Sequence, residues 1–186
     1  MPNAPHWGWF IILYFFIGGL ASGLYFIGTL ARLNGDPRDG PVTRFCHLAT
    51  FPLVLACGFL LTIDLGKPLR FWHMLVQSER IPLPMLKYWA PMSLGSWVLA
   101  IVAIFSGVAF FGALVDSGRL TSERAMRLVA WGRARPHTIK LAWSLLGMFF
   151  ALFFGGYTGV LLVGTNVPLW HNAQLLGAVF LLSAAS

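Results

Sequence analysis

Charge is what this sequence has least of. Only 10% of its 186 residues are Asp, Glu, Lys or Arg, six acids and thirteen bases, while 58% are hydrophobic. Soluble domains carry about a quarter charged residues, so a water-soluble globule is excluded. Cysteine is nearly absent. Cys46 and Cys57 match no zinc, haem-attachment or ferredoxin spacing, and both read as buried thiols that say nothing about compartment. No segment alternates apolar and polar residues with the period of a strand, and no basic n-region precedes the apolar run that follows MPNAPHWGWF. The first absence points to an all-helical membrane bundle, the second to a retained first span in place of a cleaved signal peptide. A net charge of +7 in so apolar a chain marks loops facing an anionic leaflet, and nucleic acid is not an expected partner.

What is abundant is long apolar sequence. A span needs about 20 such residues, and four runs qualify: Trp9 to Ala31, Phe45 to Ile63, Met92 to Val115 and Leu141 to Val163. A fifth, Leu169 to Ser186, has no basic anchor behind it and reads as incomplete. The expected fold is an all-α polytopic bundle in one transmembrane domain, residues 1–186, with a first four-helix bundle over about 9–163 and a fifth span over about 169–186. The first connection carries Arg32, Arg38 and Arg44, and the third carries six basic residues from Arg119 to Lys140, nine in all. The opposite side has four, Lys67, Arg70, Arg80 and Lys87. The positive-inside rule therefore predicts an outer N-terminus and an outer 65–91 connection, periplasmic in a bacterial inner membrane. Trp7, Trp9, Trp72, Trp89 and Trp170 fall at that outer interface.

With this topology the polar residues of the spans gather in the outer half. Tyr14 lies about 8 Å inside the first span and Tyr157 about as deep in the fourth. Each is either a packed or interfacial ring or a hydrogen-bond donor. Asp64 closes the second span on the same side; it either pairs with Lys67 or Arg70 just after it or handles protons. Gly19 and Gly23, like Gly155 and Gly159, have the spacing that lets helices approach closely, and the second pair would leave room beside Tyr157 for a flat ligand. The five histidines do not form a mid-membrane pair, so no b-type haem is expected. His6, His73 and His171 share the outer face without a pattern that converges on a metal. The second connection is long and rich in Pro, Trp and basic residues, either a solvated loop or a docking surface for an acidic extramembrane protein.

The N-terminal Trp before YFFIGGLASG, then DLGKPLRFWHML, PMSLGSW and GGYTGVLLVGTNVPLWHNA, resembles the NrfD/PsrC family over nearly the whole chain. The combination is specific where each motif alone is weak. The resemblance implies a membrane subunit without haem or iron-sulfur cluster of its own, exchanging electrons between quinone (menaquinone or ubiquinone) and a docked 4Fe-4S ferredoxin-like subunit. That partner often serves a molybdopterin catalytic subunit. It further implies a quinone site from Tyr157, Tyr14 (where some relatives carry histidine) and Gly66, with Asp64 as proton relay. Lys67, Arg70 and His73 would tune Asp64 or help dock the partner. Members typically have eight or more spans, so this chain is expected to be the N-terminal part of such a fold and to assemble poorly alone. Two rival readings are a passive anchor for a periplasmic enzyme complex and a proton-translocating or transport module. Ionisable residues deep in the inner halves of spans would favour the latter, and none is read there.

Overall fold

In lipid a backbone must satisfy its own polar groups, and each apolar run does so as a helix. The computed structural model describes residues 9–64 and 91–163, with side chains at all of these except 91, 92 and 158–163. Helix α1 is Trp9–Asn34, α2 Gly40–Asp64, α3 Pro91–Asp116, α4 Glu123–Arg133 and α5 His137–Val163. Among the described residues there is no strand. Helices α1, α2, α3 and α5 are long and apolar enough to cross a membrane, and the chain is a multi-pass membrane protein. Residues 169–186, the expected fifth span, lie outside the described residues.

The four spans form a ring in the order α1, α2, α3, α5, each packed on two neighbours. Pairwise contacts fix their directions. Gly28 of α1 meets Cys46 of α2, whereas Tyr14 earlier in α1 meets Cys57 later in α2. Phe51 lies at Gly107 and Leu99 at Gly58, so α2 and α3 are antiparallel. Gly18, Ser22 and Tyr25 contact Phe154, Ala151 and Gly147 in descending order, which makes α1 and α5 antiparallel too. The topology is up-down-up-down.

Between α1 and α2 the chain turns through Gly35 at φ +73°, a left-handed position that glycine takes without strain. A one-turn 3₁₀ helix, Pro37–Asp39, follows, with Asp36 accepting from the Arg38 backbone N–H at 2.8 Å. Small and polar residues fill the interior: Ser22, Thr50, Cys57 and Ser106 are fully buried, while Phe16, Phe59 and Phe149 face outward. In a bilayer helices associate through close packing and interhelical hydrogen bonds, since lipid tails are as apolar as any core side chain. Ser22 Oγ supplies one such bond, donating from α1 to the Ala151 carbonyl of α5.

Two sequence expectations change. The close-packing glycine of IGGLASG at the α1–α5 contact is Gly18, because an added Cβ there would lie 3.3 Å from the Phe154 ring, whereas Gly19 has open space around it. The third connection also contains a helix, α4, that its low apolar content conceals.

Candidate functional site

The buried stripe of α1 runs Tyr14, Gly18, Ala21, Ser22, Gly23, Tyr25, Gly28 and Thr29, mostly at the three-to-four spacing of one helical face. Tyr14 is its outermost member, 3% exposed. Its ring meets Phe154 of α5 edge-on, centroids 6.2 Å apart at 77°, and its carbonyl accepts a weak 3.8 Å bond from the Cys57 thiol. Phe154 is fully buried, and Tyr157 follows one turn later on the same face of α5. Tyr157 is 4% exposed, stacks on Phe153 at 6.2 Å and hydrogen-bonds the Gly95 backbone of α3. The structure thus packs Tyr14 against Phe154 of α5, and Tyr157, one turn farther along that helix, against Phe153 and the α3 backbone, so that both rings are buried at the same end of the bundle.

Gly95 is a residue that sequence reasoning placed only inside the PMSLGSW motif. An ideal Cβ on it would fall 2.6 Å from Cε1 of Tyr157, closer than atoms pack. The bare backbone of α3 is therefore the seat for the tyrosine ring.

Asp64 closes α2 at the same end, exposed. It lies seven residues beyond Cys57, about 10 Å farther out along the axis, and so sits above the tyrosines. Gly66, Lys67, Arg70 and His73 lie outside the described residues. So do the surroundings of Gly159; Gly155 is buried.

At the other end a second polar group appears. His47 is 4% exposed on α2, its Nε2 3.4 Å from Thr29 Oγ1 and its ring 6.0 Å from that of Tyr25. His47, seven residues after the helix begins at Gly40, is thus turned into the bundle at the end opposite to Tyr157. Trp97, on α3 two residues after Gly95, has a buried indole N–H with no hydrogen-bond partner among the described residues. Cys46 and Cys57 are buried free thiols, as expected.

Four antiparallel membrane helices with hydroxyl-bearing rings gathered at one end define a polytopic helical membrane protein with a polar end-site. The chain belongs to the NrfD family: the family model described as "Polysulphide reductase, NrfD" matches residues 1–186. It is similar to a polypeptide of the polysulfide reductase of Wolinella succinogenes, 31% identical over 99% of this chain and 56% of that protein. It also resembles one of the subunits of the selenate reductase of Mesobacillus selenatarsenatis, 27% identical over 56% of this chain and 22% of that protein. The chain spans about half the length of the first of these relatives and less of the second.

Proposed function

We propose that the chain is the quinone-interacting part of a membrane subunit of a respiratory oxidoreductase. It exchanges electrons between membrane quinone, menaquinone or ubiquinone, and a docked 4Fe-4S ferredoxin-like subunit that serves a molybdopterin or other catalytic subunit. The chain lies in the bacterial inner membrane with its N-terminus in the periplasm. The observation that carries the reading is the burial of both Tyr14 and Tyr157 at one end of the bundle, the end that Asp64 closes, in a member of the NrfD family.

The residues present fit a quinone. Two phenols are buried at one end of the bundle, and the Trp97 indole N–H, without a hydrogen-bond partner among the described residues, is a donor with an unmet need for an acceptor oxygen. A bound quinone supplies a two-electron, two-proton couple. Tyr14 and Tyr157 donate hydrogen bonds that orient its ring, and their burial keeps bulk water from competing. Asp64, at the exposed end of α2, passes a proton between that site and the aqueous side. Gly66 contributes to the quinone site, and Lys67, Arg70 and His73 tune Asp64 or hold the partner. A second role, proton translocation across the bundle, is favoured by one observation, the buried His47 with Thr29 and Tyr25.

The test is quinol-dependent reduction of the partner's clusters, normalised to assembled complex. Loss of one hydrogen bond to a ligand costs about 1 kcal/mol, so Tyr157→Phe should weaken quinone affinity about fivefold with insertion unchanged. Asp64→Asn should slow turnover and move its pH profile. Normal rates per complex in both variants would remove these residues from the mechanism and leave the passive anchor. If Asp64 only pairs with Lys67 or Arg70, its substitution lowers assembly while surviving complexes work normally.

A further inference from the structure

The connection between α3 and α5 has no part in the quinone site, yet it holds the largest net positive charge of any connection among the described residues. From Asp116 to Lys140 there are six basic residues and two acidic ones. Because α3 and α5 are both spans, this connection leaves and re-enters the bilayer at the same surface. Helix α4 within it is tied down on both sides. Arg133 pairs with Asp116 at the end of α3, and Lys140 Nζ of α5 donates to the Arg133 carbonyl at 3.3 Å. Eleven residues reach only about 16 Å, so α4 stays close to the membrane surface.

Its outward face has a definite composition. Arg124, Arg127, Leu128 and Trp131 follow one another at i, i+3, i+4 and i+7, and together line an open groove of about 540 Å³. The opposite positions, Ala125 and Val129, are half-buried. Leu128 is 70% and Trp131 63% exposed, an arrangement that water disfavours and an interface between headgroups and acyl chains accommodates. Arg135 closes over the Trp131 ring at 3.8 Å, placing a third guanidinium beside that face. The ion pair of Arg127 with Glu123, 3.5 Å long, has both side chains more than four-fifths exposed and is weak enough for a stronger anion to displace.

We propose that α4 is an interfacial helix that binds the phosphate headgroups of anionic phospholipids. Arg124 and Arg127 hold the phosphate, and Leu128 and Trp131 settle at the acyl boundary. Guanidinium groups suit a phosphodiester because their planar forks donate two parallel hydrogen bonds. The mixture of arginine, leucine and tryptophan on one face, on a helix anchored between two spans, matches a lipid surface better than a soluble acidic partner, which would gain nothing from the exposed leucine. The inference does not depend on which side of the membrane α4 occupies, nor on the quinone reading.

The assembled complex that contains the chain is purified in neutral detergent and titrated with phosphatidylglycerol or phosphatidylcholine, and retained lipids are counted by native mass spectrometry. Preferential retention of phosphatidylglycerol is expected, falling about tenfold or more in the Arg124→Gln/Arg127→Gln double variant, since each basic residue near an anionic surface contributes several-fold. Unchanged preference in a variant of normal helicity overturns the proposal, as does equal retention of the two lipids. Inorganic phosphate that competes at equal concentration would identify a free anion as the ligand and also overturn it. Should the double variant fail to fold, a photoactivatable phosphatidylglycerol is applied to the unmodified chain in vesicles. Labels on residues 123–135 support the proposal; labels confined to other segments refute it.

Discussion

Gly95 is a residue defined by the methyl group it does not have. A Cβ there would stand 2.6 Å from the edge of the Tyr157 ring. What must move is the outer part of a side chain, which can swing, so the helix survives and the ring is displaced. Gly95→Ala should therefore cost little stability, at the low end of the roughly 1–3 kcal/mol typical of overpacking, while moving the Tyr157 hydroxyl off the α3 backbone. Quinol-dependent turnover should drop in the Ala variant. In a double-mutant cycle with Tyr157→Phe the two losses should be strongly non-additive, because both act on one hydroxyl. Additive losses would mean that Gly95 acts elsewhere. The motif PMSLGSW was legible as a string in the sequence. That its glycine seats a tyrosine 62 positions later was not, since the spacing of residues in one helix says nothing of the ring that another helix brings to it.

Among the elements, α1 and α2 cross closely at Gly28. At Gly28 an added Cβ would lie 2.6 Å from the Cβ of Cys46, an atom fixed to the backbone and unable to swing aside. Gly28→Ala should therefore push the helices apart and lower the thermal midpoint in detergent clearly. Gly19→Ala, with open space around it, should be neutral or raise the midpoint, because glycine inside a helix is about 1 kcal/mol less favourable than alanine. Equal effects of the two would show that this crossing does not limit stability. The spans themselves were legible because lipid admits no other regular backbone for an apolar run of this length. Their ends were less so: α2 starts at Gly40 and not near Phe45, since helical hydrogen bonding continues past the apolar stretch. Helix α4 was missed for the related reason that its amphipathic face mixes arginine with leucine and tryptophan. The orientation of the elements also makes a forecast. With nine basic residues on one side against four on the other, a cysteine introduced at Gln77 should react with an impermeant thiol reagent in intact cells. Reaction only after the membrane is breached would invert the topology.

For the molecule as a whole, the proposed function requires electrons to leave the quinone for a partner's cluster. The purified chain should then show neither haem nor iron-sulfur absorption. A stoichiometric dithionite-reducible haem band would contradict the quinone-to-partner route and reopen the histidines as ligands. The sequence by itself determined the membrane class, the four spans, their alternating directions and the collection of Tyr14, Asp64 and Tyr157 at one end, because hydropathy and chain order suffice for these. Only the tertiary structure decided which of the three are buried. Tyr14 packs on Phe154 and Tyr157 on Phe153 and Gly95, while Asp64 stands exposed about 10 Å farther out along α2. It also turned His47 inward beside Thr29 and Tyr25. The physical reason is rotation: hydropathy sets a helix's depth and direction in lipid, but when every face is apolar only the fit of small residues against rings sets which face turns inward.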